Sequence, residues 1–228
     1  MGDKDARIYP KWSGLLCYMK EYPLKQNPYA VVIEFEERIA EWAGSKYAVA
    51  VESGTAAIFL SLMYQKKKID NQIVYIPKHT YPSVPCSIIH AGLMVGWSDD
   101  KWEGEYELSP FDIWDSALRF KKGMYHGGFQ CVSFHIKKHL PIGRGGMILT
   151  DNKDAVDWFR RARFDGRNPV PLMEDSFTML GWNMYMEPAE AARGIQLFEV
   201  LRNKDLPDLK VEDQKYPDLS KFEIYEEE

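Results

Sequence analysis

Apolar residues follow two different spacings between residues 28 and 202, and each change of spacing marks the border of a predicted element. After Pro28 they recur on one face of a helix, which Gly44 ends. Short apolar runs, typical of buried strands, then alternate with stretches of helical period. The predicted strands are 47–51, 73–77, 93–97, 111–115, 131–134 and 147–150, and the further predicted helices are 56–65, 83–91, 154–164 and 188–202.

This alternation predicts an α/β sheet that binds ligands at the ends of its strands. Residues 28–202 carry the pattern and form the predicted domain. Residues 1–27 lack clear periodicity and are predicted to be an N-terminal arm. Residues 101–110 are acidic and aromatic and are predicted to be a loop, and residues 203–228 are predicted to be a loosely attached acidic tail.

Composition narrows the class of protein. Hydrophobic residues make up 45% of the 228 residues, enough for a globular core, and the net charge of −5 disfavours nucleic-acid binding. The three cysteines are few and widely spaced, so neither a disulfide framework nor a metal site is predicted. Because no run reaches the length of a membrane span and no signal-peptide core opens the sequence, we expect a cytoplasmic protein.

The turn Ser53-Gly54-Thr55 separates a predicted buried strand from a predicted helix. Free backbone N–H groups at the start of a helix, together with the helix dipole, favour a phosphate dianion. Serine and threonine also cap helices without binding any ligand. The turn alone is therefore compatible with a phosphate site or with an ordinary N-cap.

Three further side chains have both a structural and a functional interpretation. Asp115 ends an apolar strand, where its carboxylate either caps the next segment or pairs with a buried cationic ring. Lys138 is either a solvated loop charge or a nucleophile whose pKa is lowered by burial beside Lys137 and Arg144. Tyr81 either packs in the core or stacks on a flat ligand.

The order of these features along the chain is more specific than any of them alone. A phosphate turn, an aromatic residue, a strand-end aspartate and a lysine five residues after Ser133 precede a glycine cluster. This order is typical of a site for pyridoxal 5′-phosphate (PLP), in which an aspartate keeps the ring nitrogen protonated and a lysine holds the cofactor.

Longer stretches between Phe35 and Leu201 carry a family resemblance. They include Glu52-Ser53-Gly54-Thr55-Ala56-Ala57, Asp115-Ser116-Ala117, Ser133-Phe134-His135 with Lys138, Gly143-Arg144-Gly145-Gly146 and Leu180-Gly181-Trp182-Asn183. In these stretches the chain resembles the DegT/DnrJ/EryC1/StrS family of sugar aminotransferases. The resemblance implies the large domain of the fold-type-I PLP transferases, an α/β fold with a mostly parallel, seven-stranded type of sheet.

The resemblance also implies a role for each matching residue. Lys138 would hold PLP covalently, Asp115 would pair with the pyridinium nitrogen, and Tyr81 would stack on the cofactor ring. The phosphate would be bound by Gly54, Thr55 and Ser133 of the same subunit. Asn183 would reach the phosphate in the site of the partner subunit. A homodimer with shared active sites is therefore implied.

The chain departs from the family in length. Only 22 residues separate Gly92 from Asp115, where the family usually has a further strand-helix unit. We expect the strand of Asp115 to pair directly with the predicted strand 73–77. The C-terminal small domain that normally covers the substrate is also expected to be reduced to residues 203–228.

The implied function is amination of a nucleotide-linked keto-sugar, with glutamate as the amino donor. Lys78, Arg144 and Arg167 are the candidate cations for the nucleotide diphosphate. One alternative is a degenerate PLP-binding or scaffold protein without turnover. Another is the dehydratase branch of the family, which has histidine at the lysine position; here the residue after Lys138 is His139.

Overall fold

The computed structural model describes residues 27–68, 72–168 and 170–225, so the predicted arm lies outside the described residues except for Asn27. Six α-helices occur in these ranges: α1 (Ala30–Ala43), α2 (Gly54–Gln65), α3 (Ser83–His90), α4 (Lys153–Ala162), α5 (Pro188–Leu201) and α6 (Val211–Gln214). The strands in the same ranges are β1 (Tyr47–Val51), β2 (Ile73–Pro77), β3 (Met94–Ser98), β4 (Tyr106–Glu107), β5 (Ile113–Asp115), β6 (Phe129–Ser133) and β7 (Gly146–Thr150).

The predicted elements from α1 to β3 and from β5 to α5 are confirmed, with shifts of a few residues at their ends. Gly44 ends α1 in the left-handed conformation, with φ of 88°, and its N–H donates to the carbonyl of Ala40. The Ser53 hydroxyl caps α2 by accepting a hydrogen bond of 3.0 Å from the N–H of Ala56. These local signals explain why the sequence pattern located both helices.

The sheet is mixed. Five strands pair in the order β1-β7-β6-β5-β4, and β2 pairs in parallel with β3. Two backbone hydrogen bonds between Tyr75 and Ser109, of 2.8 and 3.2 Å, connect β2 to the end of β4. Strands β1, β2, β3, β5 and β6 run in one direction, whereas β4 and β7 run antiparallel to their neighbours.

The expected direct pairing of β5 with β2 is wrong, because β4 lies between them. The prediction of a loop over residues 101–110 is therefore wrong at Tyr106–Glu107. Tyr106 and Leu108 are both buried and point into the core, while Glu107 between them is more exposed. The structure describes all residues between Ser98 and Ile113, and none of them is helical. The short strand β4 is therefore the regular element that connects β3 to β5 along the chain.

Helices cover both faces of the sheet. Along β1, Val49 and Val51 pack with α2, α3 and α4, whereas Ala48 and Ala50 pack with α1 and α5 on the opposite face. Burial on both faces explains why the strands are continuous apolar runs rather than alternating ones. None of the described helices is long and apolar enough to cross a membrane.

The described part of the predicted tail is attached to the domain rather than loose. Asp208 pairs with Arg119 at 2.7 Å, and the N–H of Leu209 donates to the carbonyl of Leu118 at 2.8 Å. Leu219 is buried, with 2% of its surface exposed. Pairing of this carboxylate and burial of this leucine hold residues 203–225 across the edge of the sheet, so their acidic composition does not make them a free tail.

Candidate active site

A cavity of about 290 Å³ lies at the edge where β1, β5 and β6 end. Parallel strands bring their carboxyl ends together at one edge, which is where open α/β sheets bind ligands. The cavity brings together most of the predicted site residues: Gly54, Thr55, Tyr81, Asp115, Ser133, Lys138 and Arg144.

The start of α2 forms one end of the cavity. Gly54 and Thr55 begin the helix, and the first N–H groups of a helix have no partner within it. A Cβ atom on Gly54 would lie 2.9 Å from the Cβ of Ser133, and one on Gly146 would lie 2.4 Å from the backbone of Ser53. The two glycines therefore let the helix terminus and the Ser133 hydroxyl approach each other closely, which forms a cradle suited to an anion.

Asp115 lies at the other side of the cavity, almost completely buried. One carboxylate oxygen accepts the N–H of Ala117 at 3.0 Å, and the other accepts the hydroxyl of Tyr106 at 3.1 Å. Burial raises the pKa of Asp115, while the Ala117 N–H and the charge of Lys138 oppose that rise. A cationic group in the cavity would favour the ionised carboxylate further.

The amine of Lys138 lines the same cavity, and burial lowers its pKa. The nearby Asp115 carboxylate opposes this effect. The expected direction and the expected burial are therefore found, whereas the positive neighbours Lys137 and Arg144 are not among the causes. Lys137 is exposed, so burial distinguishes Lys138 from the lysine beside it.

Replacing Asp115 with asparagine is expected to change the pH dependence of stability. The unfolded chain titrates near the ordinary aspartate pKa of about 3.9, whereas the folded-state pKa of Asp115 is higher. Between these two values the folded state binds more protons, so the stability of the natural protein falls as pH rises through that window. Each unit of the shift corresponds to about 1.4 kcal/mol.

Asp115→Asn lacks this titration, so its free energy of unfolding should rise relative to that of the natural protein as pH increases above about 4. Chemical denaturation of both proteins at pH values from 3 to 8, roughly the range that spans this titration, measures the difference. A difference that is constant across the range would contradict the raised pKa.

Aromatic side chains that the sequence did not single out complete the cavity. Trp102 and Tyr216 lie in parallel planes, with ring centroids 6.4 Å apart, and the predicted stacking residue Tyr81 has its ring 6.3 Å from that of Tyr216. Thr80 pairs at 2.6 Å with the Tyr106 hydroxyl that holds Asp115. The sequence offered one signal for Tyr106. It lies two residues before Leu108, which is the spacing of side chains on one face of a strand.

Three predicted residues lie outside the set that lines the cavity. Asn183 donates a hydrogen bond of 3.2 Å to Asp165. Lys78 pairs with Asp99 at 2.7 Å beside an adjoining depression, and Arg167 lies 5.4 Å from the ring centre of Phe164. Of the three candidate cations only Arg144 lines the cavity, where it pairs with Glu52 at 2.6 Å.

Comparison with known proteins agrees with this geometry. A sequence model of the DegT/DnrJ/EryC1/StrS aminotransferase family matches residues 24–106 and 121–204. The chain belongs to this family. Ser133, Lys138 and Asn183 lie within the stretches matched to the DegT/DnrJ/EryC1/StrS model, whereas Asp115 lies between the two matched stretches.

Individual relatives of this family match most of the chain. Spore coat polysaccharide biosynthesis protein SpsC of Bacillus subtilis is 25% identical over 197 residues, which are 68% of this chain and 48% of the relative. UDP-4-amino-4,6-dideoxy-N-acetyl-β-L-altrosamine transaminase of Campylobacter jejuni is 22% identical over 215 residues, 75% of this chain and 57% of the relative. The chain thus spans about half the length of the curated relatives it matches.

The fold is similar to that of solved aminotransferases. Helicobacter pylori PseC, an aminotransferase involved in the biosynthesis of pseudoaminic acid, superposes with a TM-score of 0.68 at 16% identity. The similarity covers 87% of this chain and 63% of PseC. The predicted α/β fold of the fold-type-I PLP transferases is therefore confirmed.

Proposed function

We propose that this protein is a PLP-dependent sugar aminotransferase and that its cavity holds the cofactor. The observation that carries the proposal is the joint position of Lys138, Asp115 and the α2 cradle in one cavity. The residues fit the chemical groups of PLP. The cradle suits the phosphate, the Asp115 carboxylate suits the pyridinium nitrogen, and the amine of Lys138, whose pKa burial lowers, suits the aldehyde.

When bound, PLP supplies an electron sink that stabilises negative charge at the carbon attached to the amino group. Asp115 would favour a protonated ring nitrogen through its negative charge, and the hydrogen bonds from Tyr106 and Ala117 hold the carboxylate in place for this role. Lys138 would act as the base that moves a proton from that carbon, and burial favours this role because it lowers the pKa of the amine. Tyr81 lines the cavity with an exposed ring, which would stack on the cofactor.

We infer a nucleotide-linked keto-sugar as the amino acceptor and glutamate as the donor. The support is that the Campylobacter jejuni relative is named as a transaminase of a UDP-linked amino sugar. Of the three candidate cations Lys78, Arg144 and Arg167, Arg144 is the one that lines the cavity. Its guanidinium is therefore placed to contact an acidic group of the ligand there. Lys78 would then contact ligand groups only beyond the cavity, in the adjoining depression.

We also propose a homodimer in which Asn183 approaches the site of the partner subunit. The support is a segment of exposed apolar side chains that precedes Asn183 in the sequence. Met173 is 95% exposed and Leu180 is 90% exposed. In the same segment, more than half of the surface of Leu172 and of Phe177 is exposed. Apolar side chains clustered on a surface indicate a site of association.

The function is tested by supplying the purified protein with PLP, glutamate and a set of UDP- and GDP-linked keto-sugars, and by measuring 2-oxoglutarate and the amino-sugar. The account predicts that both products form in equal amounts. A protein that binds PLP but forms neither product would instead support the binding or scaffold alternative. A protein that does not bind PLP would contradict the proposal altogether.

A further inference from the structure

Residues 207–219, here called the C-terminal strap, cross the edge of the sheet next to the cavity and are fixed at both ends. At one end Asp208 pairs with Arg119, and the N–H of Leu209 donates to Leu118. At the other end Leu219 is buried, and its N–H donates to the carbonyl of Lys78 at 3.0 Å. The strap therefore connects the segment that follows β5 with the segment that follows β2.

The middle of the strap contacts the cavity through Tyr216. The helical turn α6 precedes it, and Asp213 and Lys215 in this region are exposed. The Tyr216 ring faces both Trp102 and Tyr81. The backbone carbonyl of Tyr216 lies 3.1 Å from Nδ1 of His79, within hydrogen-bond distance. Burial and the nearby Asp115 carboxylate raise the pKa of the Tyr216 hydroxyl, which agrees with a ring that points into the site.

The cavity enclosed by the strap is small. Its volume of about 290 Å³ is at the lower end of the range for sites that hold a single small molecule. A segment with exposed polar residues and few interior contacts opens at low free energy compared with the core of a domain. Loss of the Tyr216 contacts would therefore free the middle of the strap without unfolding the sheet beneath it.

We propose that the C-terminal strap is a lid on the cavity and that the ring of Tyr216 is the contact that keeps it closed. The lid controls how fast molecules reach and leave Lys138. The identity of the admitted ligand as PLP or a nucleotide-linked sugar rests on the proposed function, whereas the lid itself does not.

The rate at which acetic anhydride acetylates Lys138 tests the lid in the cofactor-free protein of 228 residues. Mass spectrometry of the digested protein measures the modification of Lys138 and, as an internal reference, of Lys46, whose side chain is 70% exposed. Tyr216→Ala and Tyr216→Leu remove the ring. Tyr216→Phe retains it, and Asp213→Asn changes an exposed residue of the same strap.

The lid predicts that both ring-removing variants accelerate acetylation of Lys138 about tenfold relative to Lys46, since loss of aromatic contacts shifts an opening equilibrium by this order. Tyr216→Phe and Asp213→Asn should match the natural protein. Hydrogen exchange in the ring-removing variants should be faster in the middle of the strap, at Lys215, whose N–H donates to the carbonyl of Glu212, and unchanged in β7.

Equal acetylation rates in all five proteins would overturn the proposal. So would faster exchange in β7 together with the strap, because the ring would then support the whole fold rather than close a lid. A protein that binds no PLP leaves both readouts measurable, so failure of the proposed function and failure of the lid can be told apart.

Discussion

Lys138→Ala is expected to abolish the visible absorption band that PLP gives when it is bound to a lysine, and to lower transamination by about 10²–10⁴-fold, the usual contribution of a positioned proton-transfer group. The reason is that the amine of Lys138 lines the cavity and that burial lowers its pKa. Absorption after addition of PLP and the rate of 2-oxoglutarate formation measure the two effects.

Lys137→Ala is the matched control for this experiment. Lys137 is adjacent in sequence and also lines the cavity, but its side chain is exposed. This variant should retain the absorption band and most of the activity. If the two variants lost absorption equally, or if only Lys137→Ala lost it, the assignment of Lys138 would be wrong.

Asp115→Asn is expected to lower the transamination rate by about 10²–10³-fold, the size of effect found when one preorganised electrostatic partner is removed from an active site. Asparagine is similar in shape and can still accept hydrogen bonds at its carbonyl oxygen. It carries no charge, so it cannot favour a protonated pyridine nitrogen. Chemical denaturation of the variant at the pH of the assay shows whether it is folded there, which separates loss of the charge from loss of the fold.

Asp112→Asn controls for the removal of a carboxylate near the same strand. Asp112 is exposed, and its side chain accepts a hydrogen bond of 3.3 Å from the indole of Trp114. Asparagine can accept the same bond and also tolerates the positive φ of 48° at this position. The control should keep nearly full activity. Equal rates for Asp115→Asn and the natural protein would show that the carboxylate has no role in the chemistry.

The fold was predictable where local signals and burial agree. Strands such as β1 and β7 are buried on both faces, so their sequences are uninterrupted apolar runs that few other structures explain. The glycine after α1 and the serine before α2 gave the ends of those helices. The strand β4 was missed because only Tyr106 and Leu108 mark it, within a stretch of acidic residues and tryptophan.

The meeting of the polar residues in one cavity was predictable, but the enclosure of the cavity was not. Asp115 ends β5 and Lys138 follows the end of β6, and these two strands run in the same direction. The strap depends on contacts between Asp208 and Arg119 and between Tyr216 and Trp102, which are distant in sequence. No local pattern reports such contacts, and the acidic composition of residues 203–228 suggested a loose tail instead.

The most direct test of the account is to locate the bound cofactor on the chain. The protein is incubated with PLP, reduced with borohydride to fix any lysine-bound cofactor, digested, and examined by mass spectrometry. The account predicts that the reduced cofactor is found on Lys138 and that free phosphate competes with its attachment through the α2 cradle. Absence of the modification, or its presence on Lys137 rather than Lys138, would contradict the central claim.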